Sequence, residues 1–214
     1  MSHLRYALAF FLATLLVVPP ALAHRYPLSS GDIRNAYFTG RATNEKRAEF
    51  FVDYTVQPPF PKTGPYIESI RLETPYAVVV ERSATTPNYT APDAEEEFFN
   101  KPAIFRLCVH IQLTDTYGWQ VPSPPGTVRF RPDDFWRDFT IQLTQDGNEA
   151  VKPSSVSGEP IYATGEVFVG SGLIGANVWL EYDAKKIEDK PAKVTILTPD
   201  GQTVEVGFDL VKLK

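Results

Sequence analysis

His24, Cys108 and His110 are the side chains of this 214-residue chain with the widest chemical reach, since it holds three histidines and one cysteine in all. Imidazole nitrogens ligate transition metals and shuttle protons, and a thiolate is both a nucleophile and a soft ligand. Cys108 and His110 are two residues apart. On a strand that spacing places them on one face with Cα atoms about 6.6 Å apart, at roughly 3.3 Å per residue. The separation suits shared coordination of a soft metal better than a thiolate–imidazole pair, which needs contact at about 3 Å. The plainer reading is a buried cysteine, behaving as a small apolar residue, beside a hydrogen-bonded histidine.

His24 draws its interest from what precedes it. Arg5, an apolar run over residues 6–18 and the small-residue site Ala21-Leu22-Ala23 have the form of an export signal cleaved after residue 23. The mature chain would then start at His24, whose α-amino group and ring nitrogen can hold one metal ion while His110, the other histidine left, completes a three-nitrogen copper site. In that feature the chain resembles the copper-dependent lytic polysaccharide monooxygenases and the periplasmic copper carriers, both β-sandwich proteins with a histidine as first residue. The resemblance covers His24 and His110 and implies copper as cofactor, in a carrier or an oxidative enzyme.

Other constellations are weaker. Gly170-Ser171-Gly172-Leu173-Ile174-Gly175 has the spacing of a dinucleotide-binding loop, but that loop must open a helix, and Asn177-Val178-Trp179-Leu180-Glu181-Tyr182 favours a strand. Carboxylates gather at Asp93, Glu95, Glu96 and Glu97 and again at Asp133, Asp134 and Asp138. Pairs held about 5 to 9 Å apart could hydrolyse a glycosidic bond. The first group is equally accounted for by a helix N-terminus and the second by neighbouring arginines. Trp119, Trp136 and Trp179 are core material that could also stack on sugars. Asn88-Tyr89-Thr90 is a glycosylation sequon in a host that modifies such sites.

Composition narrows the partners. Loss of residues 1–23 removes Arg5 and no acid, leaving 20 basic against 26 acidic residues and a net charge of about −6. Nucleic acid and anionic membrane surfaces are poor partners for such a chain. Beyond the leader no run reaches the length of about 20 apolar residues that a transmembrane anchor requires. A lone cysteine forms no internal disulfide, so packing must hold this exported, soluble protein together, in the periplasm or outside the cell.

The elements that must position these residues read as mainly β. In residues 105–113, Phe105, Leu107, Val109, Ile111 and Leu113 alternate with Arg106, Cys108, His110 and Gln112, predicting a strand with one dry face and one polar face. Residues 24–57 read as a helical segment: Ser29 and Asp32 form a capping pair, Gly40 ends the first helix, and Asn44 caps a second that presents Phe50, Phe51 and Tyr54. Prolines 58, 59, 61 and 65 make a stiff connector. From 64 to 214 the expectation is a β-sandwich, immunoglobulin-like or related. Its strands fall at 66–74, 76–82, 105–113, 127–131, 136–145, 160–164, 167–170, 177–183, 193–197 and 203–213. A short helix capped by Thr90 and Asp93 interrupts them, and Thr198-Pro199-Asp200-Gly201 turns the last hairpin.

With no recognisable catalytic constellation, these residues point to a non-catalytic binding or structural module of the cell envelope with a protein or glycan partner. A copper protein built on His24 and His110 is the alternative, and a carboxylate-based glycan hydrolase a weaker one.

Overall fold

The computed structural model describes residues 26–145, 149–163 and 172–214. The leader, His24 and the strand expected at 167–170 lie outside them. In chain order the elements are α1 (Ser30–Gly40), α2 (Asn44–Phe51), β1 (Thr55–Val56), β2 (Tyr66–Glu73), α3 (Pro75–Thr85), α4 (Ala91–Asn100), β3 (Ile104–Gln112), β4 (Gln120–Val121), β5 (Arg129–Phe130), β6 (Thr140–Gln145), β7 (Glu149–Ala150), β8 (Ser155–Tyr162), β9 (Leu173–Asp183), β10 (Pro191–Leu197) and β11 (Thr203–Asp209). The strands form three antiparallel sheets, ordered β1-β2-β3-β9-β8, β11-β10-β6-β7 and β4-β5.

The chain is therefore mixed α/β rather than mainly β, and the correction falls on residues 76–82. The run Tyr76-Ala77-Val78-Val79-Val80 has the composition of a strand and lies in α3. Thr74 accepts a hydrogen bond from the Ala77 amide and Pro75 occupies the first turn, a start signal that outweighs the valines. Each valine costs only a few tenths of a kcal/mol in a helix. Burial of Tyr76, Ala77, Val79 and Val80 returns more than that. Gly40 makes the close approach of α1 to α3 possible, because a Cβ there would overlap the Val80 carbonyl oxygen.

Other boundaries shift by short distances. The expected caps of α1 and α4 are in place, with Ser29–Asp32 and Thr90–Asp93 each bonded reciprocally. Thr43, not Asn44, caps α2, and Asn44 accepts from Arg47 instead. Of the strand expected at 136–145, the first residues form a 3-10 turn over Phe135–Asp138. The strand expected at 127–131 shrinks to β5. The hairpin between β10 and β11 closes as read, with Gly201 at φ +85° and the Thr198 hydroxyl accepting from the Gln202 amide.

β3 lies at the centre of the five-stranded sheet. Phe105, Leu107, Val109 and Ile111 are fully buried on one face, beside Ile70 and Leu72 of β2 and Val178, Leu180 and Tyr182 of β9. A β-bulge between Ile67 and Ser69 breaks the strict alternation of β2, so that Ile67, Ile70 and Leu72 are all buried. One contiguous buried cluster unites this face with Ile33 of α1, Val80 of α3, Leu143 of β6, and Val194 and Ile196 of β10. The N-terminal helical segment is integral to the fold. Its β1 joins β2, Phe50 packs on Tyr54 and Tyr76, and the Tyr54 hydroxyl donates to the Lys214 carbonyl at 3.0 Å.

Candidate functional site

The polar face of the five-stranded sheet carries the residues of interest in cross-strand rows. Antiparallel register sets Glu73, Arg106, Glu181 and Ser155 side by side on β2, β3, β9 and β8. The next row is Arg71, Cys108, Trp179 and Ser157, and the third Ser69, His110, Asn177 and Glu159. Residues in one row lie about 5 Å apart, close enough for their side chains to act together.

The first row is built around Glu73, whose side chain is wholly excluded from solvent. Its two carboxylate oxygens lie 2.8 Å from Arg71 Nε and 3.2 Å from Arg106 Nε. The two guanidinium groups hold the carboxylate by opposed charge at close range. Burial raises the Glu73 pKa and the flanking guanidinium groups oppose the rise. Arg71 is fixed further by the Phe51 ring, 4.7 Å below its guanidinium, and by Glu81 of α3 at 3.8 Å. This cluster is a rigid, internally neutralised support.

Beyond it the face opens into a polar pocket of about 330 Å3, lined among others by Arg71, Glu81, Cys108, His110, Asn177 and Trp179. Burial pushes the Cys108 thiol up to about 12, reinforced by the charge of Glu73 and resisted by Arg71 and Arg106. A thiol so raised is protonated at neutral pH and a poor nucleophile there. The expected sharing of one face by Cys108 and His110 holds. His110 is half-exposed, and its Nδ1 lies 3.1 Å from Glu68 Oε2 on the bulged segment of β2. That contact orients the ring and turns Nε2 away from it, in the manner of a carboxylate-supported histidine.

The other expected residues are dispersed. His24 lies outside the described residues, so its meeting with His110 does too. Among the described residues no three or more His, Cys, Asp or Glu side chains gather where they could hold a metal ion. Asp93 is consumed by its cap, Glu95 faces Arg34 at 3.5 Å, and Glu97 is shared between Arg82 at 2.8 Å and Lys101 at 2.6 Å. Asp134 pairs with Arg137 at 3.3 Å. Trp119 stacks on Phe130, Trp136 covers Gly158, and of the three tryptophans Trp179 alone lines the polar pocket. Gly172 and the residues after it lead into β9 and not into a helix, so the glycine-rich run lacks the helix N-terminus a pyrophosphate needs.

Sequence reading missed Glu73, Arg71, Glu81 and Asn177 as members of one site. The alternation in β2 and β3 hinted at the first two. Register between strands distant in the chain, and the fold-back of α3, bring Arg71, Glu81 and Asn177 to His110 and Trp179, with Glu73 paired to Arg71 at the edge of the pocket. No protein-family model matches the chain, and no curated protein or solved structure matches it either.

Proposed function

We propose that this is an exported, non-catalytic binding module of the cell envelope that takes a glycan on the polar face of its five-stranded sheet. The observation that carries the reading is Trp179, half-exposed in a polar pocket beside Asn177, His110, Arg71 and Glu81. An indole face accepts the C–H face of a pyranose ring, and planar amide, carboxylate and guanidinium groups bond its hydroxyl pairs. The raised thiol and the Arg71–Glu73–Arg106–Glu81 cluster, two guanidinium groups matched by two carboxylates, support binding over catalysis, since neither offers an activated group. The same reading takes the two larger sheets as halves of a sandwich, supported by their common buried core. Titration of the exported protein with a panel of soluble oligosaccharides tests it. A glycan bound by the native protein and at least several-fold more weakly by Trp179→Ala is expected, and no binding across the panel overturns it.

A copper site is the second reading, favoured by one observation: Glu68 holds Nδ1 of His110 and leaves Nε2 free to ligate. His24 as first residue would supply the remaining nitrogens. Copper(II) titration followed by electron paramagnetic resonance is expected to show nitrogen coupling that vanishes in His110→Ala and in a form extended by one N-terminal residue. Binding unchanged by both alterations removes it.

A further inference from the structure

A second cavity lies farther along the same sheet face than the polar pocket, and its chemistry differs. It encloses about 530 Å3 between α3, α4 and the sheet, with walls that include Val78, Val79, Ala94, Phe98 and Ile104. Helix α4 rests on α1 and is tied to α3 through Arg82 and Glu97. Ala94 is its one buried residue, so the helix spans the space without filling it.

β9 runs beneath both cavities. Asn177 and Trp179 line the polar pocket, and Glu181 and Asp183, next along the same face, line the apolar one. From Asn177 to Asp183 this floor extends about 20 Å at roughly 3.3 Å per residue. Helix α3 serves as the common wall, giving Glu81 to the first cavity and Val78 and Val79 to the second. On the opposite flank Trp179 and Glu181 are paired with Ser157 and Ser155, small and exposed, which leaves that side low.

Resting on the glycan reading, we infer that the ligand is an uncharged glycolipid, with its sugar head on Trp179 and its hydrocarbon tail in the cleft between α3 and α4. An apolar cleft takes a chain whose transfer from water contributes about 0.8 kcal/mol per buried CH2. The charges along the floor set the nature of the head. Among the side chains lining the two cavities, Arg71, Arg82 and Lys101 stand against Glu81, Glu97, Glu181 and Asp183. That excess of one carboxylate disfavours phosphate, sulfate and carboxylate heads.

Calorimetric titration of the exported protein is the test. The probes are dodecyl glycosides with glucose, maltose or N-acetylglucosamine heads, each below its micelle-forming concentration, the same sugars without tails, and dodecyl sulfate. At least one dodecyl glycoside is expected to bind tenfold or more tightly than its free sugar, and more tightly than dodecyl sulfate. Ile104→Trp, which fills the cleft from a part-exposed position, is expected to erase the advantage of the tail, while Trp179→Ala weakens glycoside and free sugar alike. Circular dichroism verifies that both variants fold. A glycoside that binds no better than its sugar overturns the tail site and leaves the glycan reading standing. Dodecyl sulfate binding as tightly as the glycosides overturns the uncharged head, and no binding of any sugar or glycoside overturns both readings.

Discussion

Glu73 and Arg106 stand directly opposite each other on β2 and β3, with Oε2 3.2 Å from Nε and the carboxylate sealed from water. Arg71 closes the other side at 2.8 Å. Removing the carboxylate strands two guanidinium groups that are themselves largely covered. Glu73→Ala is therefore expected to lose about 3 to 5 kcal/mol of stability in urea unfolding. Coupling with Arg106→Ala in a double-mutant cycle is expected to be positive and well above the fraction of a kcal/mol typical of exposed pairs. Additivity of the two substitutions would mean that the charges do not act on each other.

Cys108 is expected to resist alkylation in the native state. Its thiol, pushed up to about 12, is protonated throughout the neutral range, so iodoacetamide at pH 8 should label the folded protein far more slowly than the urea-unfolded chain. The same shift predicts the direction of alkaline stability. The folded state holds this proton more tightly than the unfolded state, whose thiol titrates at about 8.5. The resulting stability is fully present below that value and is lost as pH climbs toward 12. Denaturant midpoints measured across that window should fall more steeply for the native protein than for Cys108→Ala.

Gly40 is irreplaceable on steric grounds. A methyl group there meets the Val80 carbonyl, which belongs to the backbone of α3 and cannot swing aside. Gly40→Ala should cost about 1 to 3 kcal/mol despite the better helix propensity of alanine, with a lowered melting temperature as the readout. A neutral or stabilising outcome would show that α1 and α3 are free to separate.

Gly158 makes the equivalent test on β8, where its missing side chain leaves room for the Trp136 indole. Gly158→Val should displace the indole and blue- or red-shift its fluorescence, whereas binding at Trp179 on the opposite face of the sheet should change by less than twofold. A large loss of glycan affinity in this variant would place the binding surface elsewhere.

Much of the fold was legible because it is local. The caps at Ser29, Thr90 and the Thr198–Gly201 turn are contacts between residues two to four apart, and short-range stereochemistry determines them wherever the chain goes. The alternation along residues 105–113 determined the two faces of β3 and placed Cys108 and His110 together. The valine run of α3 was misread because the β preference of its side chains is a small quantity, and burial under α1 and over the sheet outweighs it. Tertiary structure alone decided the site. Arg71, His110, Asn177 and Trp179 become neighbours only through the register of β2, β3 and β9, and Glu81 joins them only because α3 folds back across the sheet. Such long-range pairings follow from the packing of whole faces, a collective property that no spacing within a single strand encodes.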